Sequence, residues 1–235
     1  TSIPDWLVNL GVETFAGSIT NADDTKRAVE GISEIYHLAG KVSRERDNAR
    51  EMYKVHVEGT RLLCDAAKAA GVKTIVLAST SGTIAVTKDG DTIPDETFTQ
   101  PLDIISRWPY YASKAYQEMA ALERFSGKGL RLVIMNPSLL LGPGDDRLSS
   151  TKLILDFMAR KIGAVPTGGV CFVDAREIAF DALAASDPDF PWQDYDIEDQ
   201  GDADGDGNLF EADGVVDHFV IIHAGADKAG AGGEE

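Results

Sequence analysis

Lys73-Thr74-Ile75-Val76-Leu77-Ala78-Ser79 decides the fold. A strand with one wet face alternates polar and apolar residues, whereas this run is continuous, as a parallel strand covered on both faces requires. Helices must then flank it. On its N-terminal side Asp47 to Ala70 reads as a long helix closed by Gly71. Before that come a strand at Glu34–Ala39, ending at Gly40, and a helix from Asn21, its cap, to Gly31, its stop. Residues 12–17 read as a further short strand. On the C-terminal side the pattern predicts a helix from Tyr110 to Ser126, a strand from Leu130 to Met135, a strand segment at Gly169–Val173 and a helix from Ala175. Strands alternating with helices imply an α/β domain built on a parallel sheet. The loop from Thr83 to Pro109 is too long for a plain connector and reads as a working loop.

The chain changes character after Ser186. Fifteen of its 39 acidic residues, but only Lys228 of its 22 basic ones, lie from Asp187 to the end, so most of the net charge of −17 sits there. We therefore divide it into residues 1–186 and 187–235. With 235 residues and 43% hydrophobic content, one substantial core is expected. No apolar run is long enough to span a bilayer and no secretory leader is seen, so no membrane partner is expected. The chain opens on Thr1, which suggests that the natural N-terminus lies upstream. The acidic balance argues against nucleic acid as a partner. Cys64 and Cys171, each among apolar neighbours, read as buried free thiols, which suits a reducing, cytoplasmic setting for the first part.

Tyr110 and Lys114 stand four apart at the start of a predicted helix and so share a face. A lysine one turn from a phenol supplies positive charge that favours the phenolate. Upstream, Ser79-Thr80-Ser81-Gly82 ends the buried strand, where α/β folds place ligand contacts. A hydroxyl at Ser81 can reach a substrate carbonyl; equally, such a serine can cap a turn. Tyrosine and lysine at this spacing are also common on surface helices, so the weight falls on the joint pattern.

That pattern extends along the chain: His37-Leu38-Ala39-Gly40, Val57-Glu58-Gly59-Thr60, Ser79-Thr80-Ser81, Tyr110 with Lys114, Asn136-Pro137-Ser138, Gly142-Pro143-Gly144 and Phe172-Val173-Asp174. In this order they resemble the extended short-chain dehydrogenase/reductases, the NAD-dependent epimerase/dehydratase group, on its dihydroflavonol-reductase-like side. The resemblance covers about residues 1–186. It implies a Rossmann-like doubly wound parallel sheet, incomplete because its first strands are missing, and NAD or NADP as cofactor. Tyr110 would be the general acid/base and Lys114 would lower its pKa and hold the nicotinamide ribose. Ser81 would orient a small carbonyl or nucleotide-sugar substrate. Leu38, Ala39 and Gly40 would lie along the cofactor, Gly40 by close backbone approach, and Pro137 near the nicotinamide.

The departures matter too. The glycine-rich pyrophosphate turn and the residue that chooses NAD or NADP are not present. Gly17-Ser18-Ile19 stands where an acidic residue is usual, and His56 where asparagine is usual. For His56, helix packing and catalysis both stay open. Without the first strands, Glu34–Leu38 becomes an apolar edge that invites another chain, a homodimer included, and catalysis is expected to be poor.

In the acidic segment, Asp202, Asp204, Asp206 and Asn208, with Gly207 at position six and Asp213 at position twelve, match the spacing of a calcium loop. A solvated acidic linker is the alternative. The run from Tyr195 to Gly225 resembles the secreted immune-inhibitor-A type metalloproteases but lacks their zinc-binding helix. His218 and His223 read as structural. A secreted-protein segment on a cytoplasmic reductase suggests two genes joined near Ser186. The remaining readings are a fragment of a calcium-stabilised protease and a non-catalytic calcium-binding module.

Overall fold

A computed structural model describes residues 12–43, 46–88, 92, 94–145, 148, 150–164 and 169–186. The elements are α1 (Ala22–Ala28), β1 (Glu34–His37), a 3-10 turn (Arg46–Asn48), α2 (Ala49–Tyr53), a π-turn (Lys54–Glu58) and α3 (Gly59–Ala70). Then follow β2 (Thr74–Ala78), a 3-10 turn (Ser81–Thr83), α4 (Leu102–Ile105), α5 (Pro109–Arg124), β3 (Arg131–Met135), β4 (Leu139–Leu141), α6 (Thr151–Met158), β5 (Phe172–Asp174) and α7 (Ala175–Ser186). Two compact units divide between Asn136 and Pro137.

In the first unit β2 lies at the centre of a three-stranded parallel sheet in the order β1-β2-β3. Ile75 pairs with Ile35 on one side and Leu132 on the other. Thr74 to Leu77 are all buried, which is why the run carries no polar alternation. The core joins Leu63, Cys64 and Ala67 of α3, Ile75 and Leu77 of β2, and Ala121 and Phe125 at the end of α5. Each large apolar side chain buried here contributes about 1.5–3 kcal/mol. The Asn21 carboxamide caps α1 by accepting from the Asp23 and Asp24 amides at 2.9 and 3.2 Å. At the far end of α3, Gly71 takes the left-handed conformation (φ 83°) that turns the chain into β2.

Several expectations are corrected. Residues 12–17 form no strand, because no strand lies beside them to pair with among the described residues. Phe15 instead packs under the Arg27 guanidinium, 5.1 Å from its ring centre. The helix expected from Asp47 to Ala70 is interrupted by the π-turn, where polar contacts described below draw His56 inward. Cys64 is buried and burial pushes its thiol up to about 12, but Cys171 is exposed; both are free.

In the second unit β4 pairs in parallel with β5, Leu139 opposite Phe172. The predicted strand at Gly169–Val173 is therefore displaced to Phe172–Asp174. Neither β4 nor α6 was expected: a run of three leucines is too short to show a period. The Asp145 carboxylate accepts from the Ser150 and Thr151 amides at 3.0 and 2.9 Å and starts α6. Among the described residues no helix is long and apolar enough to cross a membrane. The acidic segment, with Asp202, Asp204, Asp206, Asn208 and Asp213, lies outside the described residues.

Candidate active site

Pro109 opens α5, a position where its missing N–H costs nothing. The helix then turns Ser113, Lys114, Gln117 and Glu118 into the interior. Tyr110 lies one turn before Lys114 and is half-buried. Its hydroxyl makes no hydrogen bond among the described residues. Its ring meets His56 edge-on, with centroids 5.9 Å apart, and tilts against Tyr111 at 5.6 Å.

Lys114 Nζ donates to the Ala78 carbonyl at 2.8 Å and to Gln117 Oε1 at 2.9 Å. Gln117 in turn donates to Thr60 Oγ1 at 2.9 Å, and Thr60 Oγ1 lies 2.7 Å from His37 Nε2. The ammonium is thereby tied to β2, α3 and β1 together. Burial lowers its pKa to about 8, against the opposing pull of the Glu118 charge. The Tyr110 phenol behaves differently from expectation. Burial, with the neighbouring Tyr111, pushes it up to about 12, and Lys114 is not among the causes. The ammonium is directed at Ala78 and Gln117 instead.

Gly40 is crowded by protein as well. A Cβ there would sit 3.3 Å from His56 Nε2 and 3.7 Å from Lys114 Nζ. The glycine makes room for protein side chains at this turn. Beside it Ala39 is buried and Leu38 half-buried. Ser81 begins the 3-10 turn after β2, but Thr80 caps it, accepting the Gly82 amide at 3.3 Å. The Ser81 hydroxyl makes no hydrogen bond among the described residues. Pro137 opens the second unit and is half-buried.

The turn bearing Ser81 is held against α5 through Gly82. A Cβ at Gly82 would fall 2.2 Å from the Tyr111 ring, which no relaxation of a methyl can absorb. Gly82→Ala is expected to cost about 1–3 kcal/mol in urea unfolding by forcing Tyr111 out of place.

Glu118 was not anticipated, although its spacing of four from Lys114 puts it on the same helix face. It is 4% exposed. Oε1 accepts from Ser79 Oγ, lies 2.8 Å from Thr83 Oγ1 and accepts from Asn136 Nδ2 at 2.9 Å. Oε2 accepts from Gln100 Nε2 at 2.5 Å. One carboxylate thus gathers the end of β2, the Ser81–Thr83 turn, the long loop and the end of β3.

His56 is fully buried, and burial, then the charges of Lys114 and His37, lower its pKa to about 3. The folded state therefore resists protonation that the unfolded chain accepts near pH 6.5. This contribution is complete above about pH 6.5 and is lost as pH falls toward 3, at roughly 1.4 kcal/mol per unit. Unfolding free energy should fall more steeply between pH 6.5 and 4 in the natural chain than in His56→Gln.

A parallel sheet whose central strand ends at a hydroxyl-bearing turn, with tyrosine and lysine one helical turn apart beside it, defines a Rossmann-like α/β domain. The NAD dependent epimerase/dehydratase family model matches residues 4–167. The chain belongs to that family. It is 31% identical to a putative dihydroflavonol 4-reductase of Synechocystis sp. over 186 residues, 79% of this chain and 53% of that protein. The crystal structure of gox2253 aligns with a TM-score of 0.65 at 28% identity, over 79% of this chain and 55% of that one. UDP-glucose 4-epimerase of Thermus thermophilus, solved with NAD, shares the fold at a TM-score of 0.61 and 21% identity, over 75% and 61% of the two chains. The chain spans about half the length of the curated relatives it matches. A model of the immune inhibitor A peptidase M6 catalytic domain matches residues 164–235, a range mostly outside the described residues.

Proposed function

We propose that residues 1–186 form the nicotinamide and proton-transfer half of an NAD(P)-dependent reductase or epimerase acting on a small carbonyl or a nucleotide sugar. The observation that carries this reading is the buried Lys114, fastened to the end of β2 one turn after a Tyr110 hydroxyl that has no partner among the described residues. An ammonium has three donors and two are used, so one remains for a ribose hydroxyl. That donor set, with the Tyr110 and Ser81 hydroxyls that have no partner among the described residues, fits the nicotinamide end of NAD or NADP. When bound, the cofactor supplies or accepts the hydride. Tyr110 then exchanges a proton with the substrate oxygen, and Ser81 donates a hydrogen bond that holds this oxygen. The third Lys114 donor, turned to the ribose, favours the phenolate that burial alone disfavours. Leu38, Ala39 and Gly40 line the cofactor in this reading. NADH and NADPH should quench tryptophan fluorescence of the full chain, and Lys114→Met should raise the dissociation constant at least tenfold. Failure of the natural chain to bind either would overturn the reading.

A second reading for the acidic segment rests on its spacing alone, with calcium held by Asp202, Asp204, Asp206, Asn208 and Asp213. Calorimetric titration of the full chain with calcium should show one site that Asp204→Ala removes. No heat of binding would leave the segment an acidic linker.

A further inference from the structure

We infer that His56 is a positioning residue, fixed as the Nδ1–H tautomer, that ties the Gly40–Lys41 turn to the first turn of α5. The hydrogen bonds determine the direction of every proton. The Lys41 amide can only donate, and it lies 2.9 Å from His56 Nε2, so that nitrogen carries the lone pair. Ser113 Oγ donates to the Tyr110 carbonyl at 2.8 Å. Its single proton thus engaged, it accepts from His56 Nδ1, 2.9 Å away. The chain of donors runs from Lys41 N–H to Nε2, from Nδ1–H to Ser113, and from Ser113 to Tyr110.

The backbone supports this placement. His56 sits in the π-turn, and both His56 and Val57 are buried there. Such turns in α-helices often mark functional sites. His56 also occupies the space above Gly40, where a Cβ would stand 3.3 Å from Nε2. The side chain of Lys41 adds a separate anchor through its ion pair with Glu51 on α2. Burial that holds the imidazole neutral is consistent with one fixed tautomer. Histidine here joins the turn after β1 to the helix bearing Tyr110 and Lys114. The consequence for cofactor binding rests on the reading above, but the tie itself does not.

Asparagine and glutamine separate the two bonds. A glutamine oxygen reaches the position of Nε2 and can accept from Lys41, whereas an asparagine amide reaches only that of Nδ1. Nitrogen NMR of the histidine-labelled full chain should show Nε2 unprotonated and Nδ1 protonated. Amide exchange at Lys41 should quicken at least tenfold in His56→Asn and in His56→Leu but not in His56→Gln, while Val76 and Leu77 stay protected. A protonated Nε2, or equal exchange at Lys41 in the Asn, Gln and natural chains, would overturn the inference. The Asn and Gln comparison decides even where His56→Leu does not fold. NADH affinity should fall several-fold in His56→Asn and recover in His56→Gln. If the natural chain binds no NADH, the functional reading fails while the exchange result still decides the tie.

Discussion

Glu118→Ala should destabilise the chain by about 3–5 kcal/mol, enough to unfold a marginally stable domain. The cost arises from what is left behind. Ser79 Oγ and Gln100 Nε2 would lose the acceptor each has among the described residues, Thr83 and Asn136 would fall back on the Thr80 carbonyl, and Lys114 would lose a nearby negative charge. Each unsatisfied buried donor costs about 1–3 kcal/mol, and because these groups share one carboxylate their losses do not add in full. Glu118→Gln keeps the shape and one oxygen, and should lose roughly half as much. Urea unfolding of the three chains tests this. A loss under about 1 kcal/mol for Glu118→Ala would mean that the loop and turn close without the carboxylate.

On the proposed function, Tyr110→Phe should lower whatever turnover of a carbonyl substrate the chain supports by about 10²–10⁴-fold, the usual worth of a positioned acid or base. The substitution removes one oxygen that has no hydrogen-bond partner among the described residues, so stability should scarcely change. This separates it from Glu118→Ala, which acts on the frame. Because burial pushes the free phenol up to about 12, the proposed ribose contact to Lys114 would show as a basic limb of the pH–rate profile that moves down on cofactor binding. Turnover that survives in Tyr110→Phe would assign the proton transfer to another group.

The two substitutions fall on residues of very different visibility in the sequence. Tyr110 and Lys114 could be found because they stand four positions apart on a helix. Ser81 could be placed because it follows the strand that the sequence marks most clearly. Glu118 lies at the same spacing again, yet a glutamate on a helix usually faces water. Only its partners, drawn from four segments, mark it as interior. His56 was visible as an odd residue in a known pattern, but its role depends on Ser113, 57 residues further along. Gly40 was read as a point of close cofactor approach, and the structure adds a second crowding there. Its hydrogen faces His56 and Lys114, side chains that the chain order does not place beside it.

The missing strand at residues 12–17 teaches the converse. Its apolar and β-branched residues suit a strand, but a strand exists only where a neighbour supplies the ladder. The sequence by itself determined the parallel sheet around β2, the capped and glycine-closed helices, and the tyrosine–lysine pair. These signals are written in period, caps and turns over a few adjacent residues. Only the tertiary structure decided where the Lys114 ammonium points, which carboxylate gathers the loops and which nitrogen of His56 carries the proton. Those outcomes depend on which distant polar groups are left without water when the sheet and helices close over them.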